Sequence, residues 1–253
     1  MKNKSRQQKK IEAIIQVRMG STRLPRKVLA DIEGKPMIWH VVNRLKFSKK
    51  LDEIILAIPD SKENDVLEKF AKDNKIKYFR GSEKDCLSRY YETAKKFKCD
   101  VIVRITSDCP LIDPKIVDLA IKKHLNSGAD YTSNIFKRTF PRGLDTEVFN
   151  FSTLEQVRKK SEKPYQREGV VVSEYIYENQ GMFHLADIIS ENKENLSYMR
   201  WTVDEIKDLE FVREIYKRLY KKGKIFLMED VITLLRLYSE LMETNKDVKQ
   251  KTR

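Results

Sequence analysis

Cysteine is scarce. The 253 residues hold three, Cys86, Cys99 and Cys109, at irregular spacing. That excludes a disulfide framework and a cysteine-built zinc site. No apolar run approaches the ~20 residues that cross a bilayer. The basic start, MKNKSRQQKK, is not followed by the ~7–15-residue apolar core of a signal peptide, so a cytoplasmic protein without a membrane partner is expected. There is no internal repeat, no low-complexity segment and no Gly/Pro-rich linker. One α/β domain with a C-terminal helical extension is the simplest reading.

Acid is in deficit, with 38 Asp and Glu against 51 Lys and Arg and a net charge of +13. Such a charge can signal nucleic acid. Its distribution argues otherwise. Residues 1–10 carry five cations and no acid, and residues 244–253 carry Lys246, Lys249, Lys251 and Arg253 against Asp247. The excess therefore lies largely in two tails expected to be mobile, and the body keeps +5. A nucleic-acid-binding protein working through its tails stays as an alternative. The body suits a small polyanionic ligand.

Apolar strand-like runs alternate with helix-period segments. Strands are expected over 11–17, 52–58, 75–79 and 100–106. Helices are expected over 35–45, 61–74, 82–97 and 114–125, the last with Asp113 as cap and Pro114 at its first position. This β-α order implies a parallel sheet covered by helices on both faces. The second half is mixed, with strands expected over 129–134, 146–151, 182–188 and 198–203. Helices follow over 153–161, 165–178, 207–222 and 229–243.

Ligands of such sheets sit beyond the carboxyl ends of the strands. The loop RMGSTRLPRK lies just beyond the first strand. It is neither a P-loop nor G-x-G-x-x-G. Its chemistry is nevertheless that of an anion site. Gly20 permits close backbone approach, Ser21 and Thr22 add hydroxyls, and Arg18, Arg23 and Lys27 can converge on anionic oxygens. Asp108 follows the buried strand 100–106 on the same rim, and Asp204 ends the run YMRWTVD. Two carboxylates facing phosphates suit Mg²⁺. Equally, Asp108 could bond its own turn and Asp204 could cap the helix at 207. Arg80, Gly81 and Ser82 close the third strand, where they could meet a base or ribose or, for Ser82, cap a helix. FPRGLDTEVF offers Arg142, Asp145 and Glu147, either at a ligand or as a salt-bridged hairpin. His40, His124 and His184 are scattered, and none is proposed as catalytic.

These motifs carry a resemblance. IIQVRMGSTRLPRKVL followed by GKP is similar to the opening of the cytidylyltransferases that make CMP-activated sugar acids. The likeness continues through FRGSEKDCLSRYYETA, VIVRITSDCPLIDP, ADYTSN, PRGLDTEVF and MRWTVDEIKDLEFV, from residue 11 to about 220. The chain most resembles the branch named for spore-coat polysaccharide biosynthesis, related to the acylneuraminate and 3-deoxy-manno-octulosonate cytidylyltransferases. The resemblance implies an α/β nucleotide-sugar transferase fold of the Rossmann-like GT-A type, with a mostly parallel central sheet. It implies a nucleotidyltransferase domain at 11–225 between a basic arm (1–10) and a helical extension (226–243) with a basic tail (244–253). It implies CTP as a substrate beside a sugar acid, Mg²⁺ on Asp108 and Asp204, and catalysis by Arg18, Lys27 and Asp108. The nucleotide would meet Arg18, Gly20, Ser21, Thr22, Arg23, Lys27, Arg80 and Ser82, and the acceptor Arg142, Asp145 and Glu147. Arg167 is a reserve for the acceptor carboxylate. A homodimer is compatible with it. A sugar-1-phosphate nucleotidyltransferase is the rival; a glycosyltransferase would carry D-x-D where this chain has SDCP. Two departures stand out. Arg26 replaces the glycine of LPGK, and Gly169 stands where the family reads histidine in REHV.

Overall fold

The computed structural model describes residues 9–161, 173–190 and 194–250. Arg167, Gly169 and most of the N-terminal arm lie outside them.

A seven-stranded sheet runs through the protein in the order β5-β4-β1-β6-β8-β7-β9. Its members are β1 (Ile11–Gln16), β4 (Glu53–Pro59), β5 (Lys77–Gly81), β6 (Val101–Thr106), β7 (Tyr131–Ser133), β8 (Glu147–Asn150) and β9 (Leu185–Asp187). The first four in space are parallel, β8 runs antiparallel to β6 and β7, and β9 is parallel to β7. A small ladder, β2 (Asp31–Ile32) with β3 (Lys35–Pro36), leads into the first helix. Glu33 and Gly34 between them both take positive φ, the conformation of a two-residue I′ hairpin. That hairpin uses Lys35 and Pro36, so α1 (Met37–Leu45) starts two residues later than the pattern implies.

Helices cover both faces, as the alternation requires. Ile11, Ala13 and Ile15 of β1 face a core shared with α1, α2 (Asp65–Asp73), α4 (Pro114–Ser127), α7 (Ile206–Leu219) and α8 (Met228–Leu237). Ile14 faces the other core, built with α3 (Cys86–Phe97), α5 (Phe151–Lys160) and α6 (Ser173–Glu178). α4 begins as read: Asp113 accepts from Lys115 N at 2.8 Å, with Pro114 at the first position. The other oxygen of Asp113 accepts from Met228 N at 2.7 Å, and the buried Arg44 donates to the carbonyls of Ile112 and Phe226. The C-terminal helix is therefore stitched into the main core. In the tail beyond it, Asn245 is only 5% exposed, while Lys246, Asp247, Lys249 and Gln250 face outward.

Other expected elements shift too, and the helix expected over 229–243 stops at Leu237, with a separate turn at Ser239–Glu243. Lys75 sits at positive φ and Ile76 N bonds Ala71 O, holding both residues to the end of α2; β5 thus starts at Lys77 and includes Arg80 and Gly81. Asp85, not Ser82, caps α3, accepting from Ser88 N at 2.9 Å. Residues 198–203 are extended but form a single bridge, Arg142 with Arg200, and no strand. Their alternation is real: Met199, Trp201 and Val203 are buried. Their hydrogen bonds are divided between two loops, since Trp201 N bonds Arg142 O and Val203 N bonds Asp108 O.

One buried group makes stability depend on pH. His40, 1% exposed, lies 2.7 Å through Nε2 from the Ile32 carbonyl, which can only accept, so Nε2 carries the hydrogen. Burial pulls its pKa down to about 4. The unfolded chain binds this proton near pH 6.5 and the folded chain refuses it until about pH 4. Stability should therefore fall as pH drops through that window, by up to ~3 kcal/mol. Urea unfolding at pH 7, 5.5 and 4.5 measures this, and His40→Gln, which keeps a donor without titrating, should flatten the slope.

Candidate active site

A cavity of about 460 Å³ opens at the carboxyl ends of β1 and β6, beneath the basic loop. Gln16 and Thr106 end those strands and line it. The loop is fixed from below. Met19 N donates to the buried Asn64 Oδ1 at 2.8 Å, Ser21 N returns to Met19 O, and a turn at Lys27–Leu29 buries Val28. Arg18, Ser21, Thr22, Arg23 and Lys27 consequently line the cavity. Gly20 does not. A Cβ there would come within 3.1 Å of Glu63 Oε1, so its smallness serves packing against the turn before α2.

Lys27 is the centre. Its ammonium lies 2.9 Å from Asp108 Oδ2, 3.0 Å from Asp204 Oδ1 and 2.7 Å from the Val203 carbonyl, which uses all three donors. Burial works against its charge, but the two carboxylates outweigh that and raise its pKa. Asp204 shows the converse. Burial would raise its pKa, yet Lys27, Arg23 at 2.8 Å and Arg200 at 2.9 Å hold it down at about 2. Its carboxylate persists at any pH where the protein works. It does not cap the following helix. That task falls to a capping box of Glu205 with the buried Asp208, which accepts from Asp204 N and Glu205 N at 2.9 and 3.0 Å. The Asp204 side chain is thereby left to the cavity.

Arg142, Gly143, Asp145 and Glu147 line the same cavity. Gly143 has a φ of +102°, and a Cβ there would sit 2.6 Å from Thr202 N. No side chain fits. Its absence lets residues 199–203 run against the Arg142 loop and reach Asp108. Asp145 is held by both Arg138 nitrogens, at 2.5 and 3.0 Å. Glu147 is buried between Arg104 and the Tyr131 hydroxyl. Arg80 and Ser82 do not line the cavity. Arg80 is bound by Asp65, Glu68 and the Ser61 carbonyl, and Ser82 accepts from Asp85 N.

Sequence reasoning missed Arg104, Gln16, Thr202 and Gln250, all on the cavity wall. Arg104 had left a signal. A cation inside the apolar strand VIVRIT must be paired where it is buried, and its guanidinium does reach Glu147 and Gln16.

The donor set suits a hard divalent cation. Asp108 and Asp204 already converge on one positive centre, the Lys27 ammonium. No cluster of three or more His, Cys, Asp or Glu forms a closed cage among the described residues. Two carboxylates completed by substrate oxygens are the arrangement Mg²⁺ favours.

Arg26 explains the glycine it replaces. It sits at φ 60°, ψ 17°, in the left-handed region, and is exposed. Arg26→Gly should remove that strain and raise stability by up to ~1 kcal/mol, read as a higher urea midpoint, with nucleotide affinity unchanged.

Comparison with known proteins agrees with this geometry. A family model described as cytidylyltransferase matches residues 12–238. An uncharacterized protein of Methanocaldococcus jannaschii is 36% identical over 245 residues, 96% of this chain and 97% of its own length. The spore coat polysaccharide biosynthesis protein SpsF of Bacillus subtilis is 30% identical over 228 residues, 88% and 92% of the two chains. A solved cytidylyltransferase from Leptospira borgpetersenii superposes with a TM-score of 0.87 at 33% identity, covering 97% of this chain and all of its own. Matched along nearly its whole length, the chain belongs to the cytidylyltransferase family and is a CTP-dependent nucleotidyltransferase.

Proposed function

We propose that the enzyme transfers CMP from CTP to a hydroxyl of a sugar acid and releases pyrophosphate, in the making of a surface polysaccharide or related glycan. The observation that carries this is one cavity that gathers both sets of groups. Arg18, Arg23, Lys27, Asp108 and Asp204 line it, and so does Arg142, a cation from a separate loop. The name of the Bacillus subtilis relative supports the polysaccharide setting.

The acceptor hydroxyl oxygen attacks the α-phosphorus, and the bond to the α,β-bridging oxygen breaks. Arg18 and Arg23 meet the charge that grows on the departing pyrophosphate, and Lys27 adds a third cation that its neighbours keep protonated. Asp108 and Asp204 would hold Mg²⁺, which supplies charge neutralisation at phosphate oxygens and lowers the pKa of a bound hydroxyl. The cavity walls orient both substrates, so positioning and charge carry the catalysis. A sugar acid brings a carboxylate that needs a cationic partner once desolvated. The basic loop is committed to the triphosphate, which leaves Arg142 for that role.

Pyrophosphate release, measured with each nucleoside triphosphate against sugar acids and sugar 1-phosphates, tests the reading. CTP with a sugar acid should be the productive pair; turnover of sugar phosphates alone would overturn it. Asp108→Asn should cut kcat by ~10²-fold or more, and EDTA should abolish turnover. Arg142→Ala should raise the acceptor KM by about tenfold with little change for CTP. A raised CTP KM with an unchanged acceptor KM would move Arg142 to the nucleotide side.

A further inference from the structure

The chain does not end at its last helix. After α8 comes a turn at Ser239–Glu243, and the residues that follow bring Gln250 to the catalytic cavity. Asn245, 5% exposed, donates to the Arg200 carbonyl and to Asp208 Oδ1, each at 3.0 Å. Gln250 accepts through Oε1 from Arg200 Nη1. Arg200 sends its other guanidinium nitrogens to Asp204 at 2.9 Å and to Asp208 at 2.9 and 3.1 Å. A continuous set of contacts thus joins the C-terminal segment to a carboxylate at the centre of the cavity.

Gln250 does more than close that set. It lines the catalytic cavity itself, together with Arg142. Arg142 and Gln250 also line a second cavity of about 420 Å³, whose walls include Met199, Trp201 and Met242. The two spaces therefore share one wall, and that wall is made by one residue of the sheet domain and one of the tail. Asn245 covers the Arg200–Asp208 pair, and Gln250 extends the same set of contacts from Arg200 to the cavity itself.

We infer that residues 245–250 form a working wall of the acceptor subsite, with Gln250 as a residue that contacts the acceptor and Asn245 as a positioning residue. This rests on the reading that the Arg142 side receives the acceptor. The Gln250 amide nitrogen carries two donors, which complement the hydroxyl and carboxylate oxygens of a sugar acid. Its oxygen stays with Arg200. The second cavity continues from this wall, and its lining mixes Met199, Trp201 and Met242 with Arg200, Glu243 and Lys246, so the acceptor's far end meets polar as well as apolar groups. The basic tail thus serves substrate choice, and its charge is incidental to nucleic acid.

The test uses the full-length protein, the acceptor that the wild type turns over, and three variants. Gln250→Ala should raise the acceptor KM by about tenfold, with CTP affinity by calorimetry and the melting temperature both unchanged. Gln250→Glu keeps an oxygen for Arg200 but replaces the two donors with an anion, and should raise the acceptor KM further. A chain ending at Thr244 should lose kcat as well, because Arg200 and Asp208 lose their partners beside Asp204. An unchanged acceptor KM in Gln250→Ala overturns the inference. So does wild-type behaviour in Gln250→Glu, which would mean that Gln250 serves only Arg200. A weakened CTP affinity with an unchanged acceptor KM also overturns it. If the wild type turns over sugar phosphates but no sugar acid, the proposed function fails, and the same KM comparison with that acceptor still decides the role of the tail.

Discussion

Three parts of the chain meet at one ammonium group. Lys27 comes from the loop after the first strand, Asp108 from the loop after β6, and Asp204 from the approach to α7. Burying ions costs several kcal/mol each unless they are paired and hydrogen-bonded. Here every partner is shared. Lys27 satisfies two carboxylates and a carbonyl, and Asp204 is balanced by Arg23 and Arg200 as well. Removing any one member leaves another buried charge short of its complement. The arrangement is consequently a poor source of net stability and a strict enforcer of geometry, which suits a site whose work is to hold phosphates still.

The sheet makes that meeting geometrically possible. β1 and β6 are adjacent and parallel, so the loops that follow them emerge side by side. The third contributor cannot arrive by strand pairing. It is threaded between the Asp108 and Arg142 loops, and the threading depends on Gly143, where a methyl group would collide with backbone. Behind it, Glu205 and Asp208 cap α7 as a box and free Asp204. A glycine and a buried aspartate thereby place the Asp204 carboxylate in the cavity.

Much of this was legible in the sequence. The parallel half of the sheet follows from alternating apolar runs and helical segments. The basic loop and both aspartates were located by asking which residues follow strands, and the cavity brings them together. What escaped had physical reasons. Arg80 has the composition of a ligand residue, but the end of α2 holds Lys75 and Ile76, moving β5 along by two residues and placing Arg80 among Asp65 and Glu68. Residues 198–203 alternate like a strand because one side is buried, although their hydrogen bonds go to loops. The tail reads as solvated from charge alone, and Lys246, Asp247, Lys249 and Gln250 are indeed exposed; what charge does not show is that Asn245 and Gln250 tie it to Arg200, some fifty residues away and invisible to local pattern.

The stitching of the last helix into the core bears on how the molecule comes into being. Arg44 reaches the carbonyl of Phe226 across 182 positions, and Asp113 receives the amide of Met228 across 115. Contacts of such long range form late, since the intervening loop must first be closed. On the ribosome the parallel strands can pair while the final segment is still in the exit tunnel. The last helix therefore arrives on a sheet that already carries the basic loop and both aspartates, and it locks the finished core from outside through two buried polar anchors rather than through strand pairing.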